Sequence, residues 1–260
     1  MSRKRSRSNG STAEDEDLRR QGPAGIETET EQEVLRTAVA GTMDSGQEGN
    51  EANFFTHLLE NNRSWASKTA IADPTFFPAC AKGQAPPVLF LGCADSRVPE
   101  TTILGCRPGE VFTHRNIANI ISNTDVSLLS IAQFAVFHLK VKDILVCGHT
   151  SCGGVAASLG NAKMDVLDVW LQPLRMLREK YADEIEGMDT EKRKKFLAEK
   201  NVLAGAENLK RIPTVIDAVR ERGLEIHGVI YDVATGLLEE IECSEDDVVV
   251  KKRVAAFERK

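Results

Sequence analysis

Two short aliphatic runs constrain the fold of this 260-residue chain more than any other feature of its sequence. VLFLGC spans residues 88–93 and ILVCGH spans residues 144–149, and each run is bounded by proline, glycine or charge. Short apolar runs of this kind are typical of strands that are buried on both faces of a sheet. Further strands are indicated by VFTHR (111–115), by IHGVIYDV (226–233) and, after a turn, by its hairpin partner LLEEIEC (237–243).

Helical patterns separate these strands. Strands that alternate with helices predict an α/β fold, with a mainly parallel central sheet flanked by helices and an antiparallel edge strand. The run at 125–139 is apolar almost all round, so it is expected to be deeply buried. Because one small subunit cannot cover such a helix, an obligate dimer is also expected. The predicted helices are NFFTHLLENNRSWA (53–66), DVSLLSIAQFAVFHL (125–139), DVLDVWLQPLRMLREKYADEI (165–185) and TEKRKKFLAEKNVLAGAENLKRI (190–212).

The first part of the chain has a different composition. Residues 1–48 are poor in aromatic residues and rich in Ser, Gly, Glu, Asp and Arg, which predicts a disordered tail followed by a single domain over 49–260. The basic cluster at residues 3–7 is interpreted as solvated tail charge, with a nuclear address as the alternative. The acidic run at 14–17 argues against a mitochondrial transit peptide.

Overall composition excludes several classes of protein. The net charge of -6 argues against a nucleic-acid partner, because neutralising phosphates requires a basic surface. No apolar run reaches the roughly 18 to 20 residues that a membrane helix requires. The six cysteines are too sparse for a disulfide scaffold and follow no secretory signal, so the expected location is a reducing compartment, the cytoplasm by default.

Chemically active side chains follow both aliphatic strands. Cys93, Asp95 and Arg97 alternate after the first strand, whereas His149 and Cys152 follow the second. The carboxyl ends of parallel strands meet at the edge of the sheet where ligands collect. One close His-Cys pair with a distant cysteine offers a metal three protein ligands and leaves one position for water, an arrangement typical of catalytic rather than structural zinc.

The segments CADSRVPETTILGCRPGEVFTHRNIAN (93–119) and CGHTSCGGV (147–155) resemble the β-class carbonic anhydrases, whose pattern is C-x-D-x-R followed by H-x-x-C. The similarity extends from about Asn53 to Cys243. It implies an α/β subunit that forms homodimers, often further associated into homotetramers, with one Zn2+ per subunit. It also implies reversible hydration of carbon dioxide to bicarbonate and a proton.

The resemblance assigns roles to individual residues. Cys93, His149 and Cys152 would be the zinc ligands, and a zinc-bound hydroxide would attack carbon dioxide. Asp95 would orient that hydroxide, while Arg97 would hold the carboxylate ionised through a bidentate contact. The substrate-binding positions implied by the resemblance are Gln84, Phe112, Ile117 and Gly153.

Some features depart from the family or leave alternatives open. Members that are switched by bicarbonate or pH carry a tryptophan and a tyrosine where this chain has Phe90 and Phe134, so that regulation is not expected to transfer intact. The same nucleophile could act on carbonyl sulfide or carbon disulfide, and a zinc-stabilised scaffold without turnover is a third hypothesis. Cys147 is interpreted as a small buried apolar residue, and Cys80, Cys106 and Cys243 as free thiols.

Overall fold

A computed structural model describes residues 51–258 of the chain. Five strands form one sheet in the order β2-β1-β3-β4-β5, and all neighbours are parallel except β4 and β5. This confirms the predicted mainly parallel sheet with an antiparallel edge. The predicted tail over residues 1–48 lies outside the described residues. The strands are β1 (Val88–Cys93), β2 (Val111–Asn116), β3 (Asp143–His149), β4 (Glu225–Asp232) and β5 (Leu237–Ile241).

Helices connect the strands and cover the sheet. None of the described helices is both long and apolar enough to cross a lipid bilayer. The α-helices in chain order are α1 (Glu51–Ala72), α2 (Phe76–Lys82), α3 (Glu100–Ile103), α4 (Val126–Gln133), α5 (Gly153–Leu159), α6 (Val166–Trp170), α7 (Gln172–Lys180), α8 (Ala182–Ile185), α9 (Thr190–Leu209), α10 (Pro213–Arg222) and α11 (Asp247–Phe257).

The two faces of the sheet carry separate apolar clusters. The larger cluster includes Leu89 and Leu91 of β1 and the buried side chains of α9 that pack on that face. The smaller cluster on the other face is built around Phe90, Cys147 and Val229. Because neighbouring residues of a strand point to opposite faces, alternate residues of β1 contribute to both clusters, and this accounts for its continuous apolar sequence.

The helix predicted at 125–139 forms, but it is not deeply buried in a single chain. Asp125 caps α4 by accepting hydrogen bonds from two backbone amides, and the helix continues as a π-helical turn over Phe134–Leu139. Val126, Phe134 and Phe137 are 74%, 43% and 60% exposed. The expectation of burial all round this element was therefore wrong for the described part of one chain, in which one side is buried through Leu128 and Val136 and the other is exposed.

The predicted helix at 165–185 is divided into three short helices, α6, α7 and α8. Proline lacks an amide hydrogen and is favoured in the first turn of a helix, and Pro173 accordingly stands at the start of α7. Sequence analysis also missed α10 and α11. The boundaries of α10 do carry a signal, since Pro213 begins the helix and Gly223 follows it in the left-handed conformation with φ 68°.

Close packing against the Phe90 ring requires a glycine at position 92 of β1. A Cβ atom at this position would lie 2.2 Å from Cε1 of the Phe90 ring, which is fully buried in the smaller cluster. We predict that Gly92→Ala lowers the free energy of unfolding by about 1–3 kcal/mol, the usual penalty of overpacking a core. Urea unfolding followed by fluorescence and circular dichroism measures this loss.

A double variant tests the cause. Phe90→Leu removes the ring that Gly92→Ala would strike, so the loss of stability in the double variant should be smaller than the sum of the two single losses. Strictly additive losses, or no loss from Gly92→Ala alone, would contradict this account of the contact.

Candidate active site

The pairing of β1 with β3 brings the predicted metal ligands to one edge of the sheet. Cys93 is the last residue of β1 and His149 is the last residue of β3, and Gly92 pairs directly with Cys147. Cys152 follows β3 and immediately precedes α5. One ligand atom from each of Cys93, His149 and Cys152 lies within 4.8 Å of the others, and all three side chains are buried.

The His149 ring is arranged as a metal ligand. Its Nδ1 lies 2.9 Å from the backbone oxygen of Thr150, which places the ring proton on Nδ1 and leaves the Nε2 lone pair free. The buried Nε2 has no hydrogen-bond partner among the described residues. A buried polar atom without a partner is costly, and a metal ion at this position would satisfy it.

The thiols of Cys93 and Cys152 influence each other's ionisation, and both would be stabilised as thiolates by a nearby positive charge. A hydrogen bond from Cys152 lowers the pKa of Cys93 to about 4, against the opposing effect of burial. The same contact with Cys93, together with burial, raises the pKa of Cys152 well above its usual value. Without a metal the pair therefore holds one proton, whereas a divalent cation would favour two thiolates. The residues present fit a zinc ion.

Asp95 and Arg97 form a bidentate pair beside these ligands. The Arg97 Nε and Nη2 atoms donate to Oδ1 and Oδ2 of Asp95 at 3.0 and 2.7 Å. These bonds lower the pKa of the Asp95 carboxyl to about 2, although burial opposes the shift. Asp95 is therefore an anion at neutral pH, and its Oδ2 lies 3.8 Å from Nε2 of His149.

Arg115 contributes to the site and was not recognised in the sequence. Its Nε donates to the backbone oxygen of Cys93 at 2.8 Å, and its Nη2 donates to the backbone oxygen of Asp95 at 2.5 Å. Its Nη1 lies 3.5 Å from Oε2 of Glu100. The only signal in the sequence is a charged residue within a strand, which by itself does not reveal these partners.

A tight turn after β2 forms another wall of the site. Ala118 adopts a left-handed conformation with φ 61°, and its amide donates to Sγ of Cys93 at 3.3 Å. The Trp170 indole donates to the backbone oxygen of Ile117, and Asn201 donates to that of Ala118. Residues far along the chain thus hold a strained backbone against a ligand sulfur, an arrangement that sequence spacing does not predict.

The predicted pocket residues fall into two groups. Ile117 begins the turn beside Cys93, and Gly153 directly follows Cys152, so both border the site. Phe112 of β2 pairs with Leu89 of β1, which stands four residues before Cys93. Phe112 therefore lies about 13 Å along the strand from Cys93. Its ring stacks on that of Phe134. Gln84 is exposed and precedes the amino end of β1. One chain does not bring Gln84 and Phe112 to the metal ligands.

The remaining cysteines are free thiols among the described residues, as predicted. Cys147 is fully buried in the smaller apolar cluster, and burial raises its pKa to about 12. It lies outside the group of side chains that could hold a metal. The interpretation of Cys147 as a small buried apolar residue is therefore confirmed, and its exclusion from the ligand set stays a prediction.

Parallel strands that present two thiols and an imidazole at their carboxyl ends define a metal-binding α/β protein. A sequence profile described as carbonic anhydrase matches residues 88–238. The chain therefore belongs to the carbonic anhydrase family, and its structural neighbours show that it is an enzyme of the β class.

Individual relatives support this assignment. A carbonic anhydrase of Candida albicans is 46% identical over 143 residues, which cover 54% of this chain and 51% of that protein, so the match spans about half of that relative's length. The β-carbonic anhydrase CafA of Aspergillus fumigatus is 46% identical, with a TM-score of 0.78 over 79% of this chain and 99% of that one. A tetrameric β-carbonic anhydrase of Sordaria macrospora is 47% identical, with a TM-score of 0.73 over 75% and 100%.

Two cysteine variants test the ligand set. We predict that Cys152→Ala loses bound zinc, because it removes one of three ligand atoms, whereas Cys147→Ala retains it. Metal analysis of the purified proteins measures zinc content, and X-ray absorption should show a shell of two sulfurs and one nitrogen from the protein. A shell with three or four sulfurs, or zinc loss in Cys147→Ala, would contradict the assignment.

Proposed function

We propose that this protein catalyses the reversible hydration of carbon dioxide to bicarbonate and a proton, with one zinc ion per chain held by Cys93, His149 and Cys152. The observation that carries the proposal is the ionised Asp95 carboxylate, 3.8 Å from the unpartnered Nε2 of His149. A structural metal site needs no such carboxylate. Membership of the carbonic anhydrase family supports the same reaction.

Zinc bound by these ligands would supply a Lewis acid that makes water nucleophilic near neutral pH. The protein's own groups would then orient the reactants. Asp95 would accept a hydrogen bond from the attacking oxygen and direct its lone pair towards carbon dioxide. Arg97 would keep Asp95 anionic and fixed, since its planar guanidinium binds both carboxylate oxygens and also donates to the backbone oxygen of Ser151 at 3.1 Å.

The walls of the site suit a small uncharged substrate. Ile117 offers an apolar side chain beside Cys93, and Gly153 leaves open space after Cys152, since a Cβ atom there would meet no heavy atom within 4 Å. Gln84 and Phe112 lie at the opposite end of the sheet from the ligands. We infer that they reach a pocket only when supplied by a second copy of the chain, which would make the active site depend on assembly.

The exposed apolar side chains support association. Phe54, Phe55, Leu58 and Leu59 are exposed on α1, and Phe134 and Phe137 are exposed next to α4. Exposed apolar surface of this extent is typical of a protein interface. The Sordaria macrospora relative is tetrameric. We therefore propose a homodimer as the minimal unit, with a homotetramer as the larger form. A cytoplasmic location stays a prediction.

We predict that light scattering at low protein concentration detects at least two chains per particle. Dissociation should accompany unfolding, because separated subunits would expose the apolar side chains of α1 and α4 to water. Replacing Phe55 and Leu59 by Glu should yield smaller particles with lower activity, whereas replacing the exposed Lys68 by Glu should change neither. A folded, fully active monomer would contradict the proposal.

The role of Asp95 is tested by Asp95→Asn. The amide retains the size of the side chain but loses its charge, and its NH2 group can donate to the oxygen that should attack. We predict a loss of turnover of about 10²- to 10³-fold, as is typical when one oriented electrostatic contact is removed, with little loss of zinc. Stopped-flow hydration of carbon dioxide measures the turnover.

Asp73→Asn is a matched control, since Asp73 accepts a hydrogen bond from Arg107 at 2.9 Å in an ion pair outside the site. It should hydrate carbon dioxide at the parental rate. If Asp95→Asn keeps its zinc and the parental rate, Asp95 only pairs with Arg97. If the parent protein binds zinc but shows no chelator-sensitive hydration, a zinc-stabilised scaffold replaces the enzyme hypothesis.

A further inference from the structure

A second cavity lies far from the metal ligands. It has a volume of about 460 Å³, is partly open to solvent and is bordered by α10, α11, the start of β4 and the segment that joins β5 to α11. This volume falls within the range of about 300–1,000 Å³ that small-molecule sites occupy. The cavity adjoins Ile226 near the amino end of β4, whereas the metal ligands stand at the carboxyl ends of β1 and β3.

The walls of the cavity are mostly aliphatic. Side chains of α10 face those of α11 across it, and a single thiol, that of Cys243, also lines it. An apolar ligand body would bury hydrocarbon surface here without leaving a protein polar group unpaired. The aliphatic side chains that line the cavity are Val215, Ile216, Val219, Leu224, Ile226, Val250 and Val254.

One side of the cavity carries an unbalanced ionic cluster. The side chains of Lys210, Glu245 and Arg253 are only 17%, 16% and 9% exposed. Lys210 Nζ lies 2.8 Å from Oε2 of Glu245, and Arg253 Nη2 donates to Oε1 of the same carboxylate. Burial tends to raise the pKa of Glu245, but the bonds from Arg253 and Lys210 overcome this effect and lower it, so Glu245 is ionised.

The cluster therefore holds two cations and one anion. Arg220, which also lines the cavity, has carboxylate partners of its own, since Asp217, Glu221 and Glu258 all lie in ion-pair contact with it. Among the described residues, Arg253 has no hydrogen-bond acceptor besides Glu245, so its other guanidinium N–H groups are unpaired although the side chain is more than nine-tenths buried. Buried charges are normally paired, and within the Lys210–Glu245–Arg253 cluster the N–H groups of Arg253 that Glu245 does not accept are available to a further anion.

We propose that this cavity binds a small monocarboxylate with an aliphatic chain, whose carboxylate pairs with Arg253 and whose chain lies between α10 and α11. The ligand carboxylate balances the charge that Glu245 leaves unmatched, and the planar guanidinium suits a carboxylate geometrically. The aliphatic walls receive the chain. The proposal is independent of the carbon dioxide chemistry, since no ligand of the metal site lines the cavity.

Cysteine alkylation tests this on the full-length, zinc-loaded protein. Decanoate is the probe, and the rate at which iodoacetamide modifies Cys243 is followed by mass spectrometry, with the exposed Cys80 as an internal control. The concentration of decanoate that halves the rate of modification of Cys243 should be about 10-fold or more lower than that of decanol, the factor expected for one hydrogen bond to a charged group. The rate at Cys80 should not change.

Arg253→Met removes the excess charge while leaving the Lys210–Glu245 pair balanced, and it should abolish the advantage of decanoate over decanol. Lys252→Met alters an exposed cation of the same helix and should preserve that advantage. If Arg253→Met does not fold, Val254→Phe offers a separate test, because it fills the cavity without changing any charge and should block decanoate.

Three results would overturn the proposal. Equal protection by decanoate and decanol would show that the site recognises no anion. Protection that persists in Val254→Phe would place the ligand elsewhere. A Cys243 that is unreactive in the parent protein without any ligand, with no heat of decanoate binding in calorimetry, would show that another part of the assembly covers the cavity.

Discussion

The parallel pairing of β1 with β3 is the constraint on which the site depends. Cys93 and His149 are 56 residues apart in sequence, yet each ends a strand, and the pairing of Gly92 with Cys147 brings both to the same edge. Cys152 follows within one turn of backbone. Backbone hydrogen bonds of a buried sheet are rigid, so ligand positions are set before any metal binds. The Phe90 ring lies against Gly92 within β1, so this position of the strand has no room for a larger side chain.

Electrostatic balance explains the composition of the surroundings. Two buried thiols, those of Cys93 and Cys152, share a proton. The buried Nε2 of His149 has no hydrogen-bond partner among the described residues. All three groups favour a cation between them. The Asp95 carboxylate adds negative charge nearby, and Arg97 balances it by donating to both carboxylate oxygens, including the Oδ2 atom that lies 3.8 Å from Nε2 of His149. Arg115 holds the loop after β1 in place by donating to the backbone oxygens of Cys93 and Asp95.

Association links the fold to the proposed function. The apolar side chains on α1 and next to α4 are exposed among the residues that the structure describes, and two residues that the family resemblance assigns to the pocket lie at the opposite end of the sheet from the candidate metal ligands. A second copy would resolve both facts together. The cavity beneath α11 is different in kind, because it lies between elements of one chain and is bordered by the Lys210–Glu245–Arg253 cluster, in which two cations share one carboxylate.

The amino-acid sequence by itself indicated the five strands, the three candidate metal ligands and the adjacent Asp-Arg pair, because short aliphatic runs and the residues that follow them are local signals. The division of residues 165–185 into three helices and the exposure of Phe137 depended on packing that no local pattern records. Three sets of contacts depend on the tertiary structure alone. Arg115 donates to the backbone of Cys93, and Asn201 donates to the backbone of Ala118 in its left-handed conformation. Glu245 forms ion pairs with both Lys210 and Arg253. These contacts join residues between 20 and 83 positions apart in most cases, and their energies depend on burial and geometry, which exist only once the chain has folded.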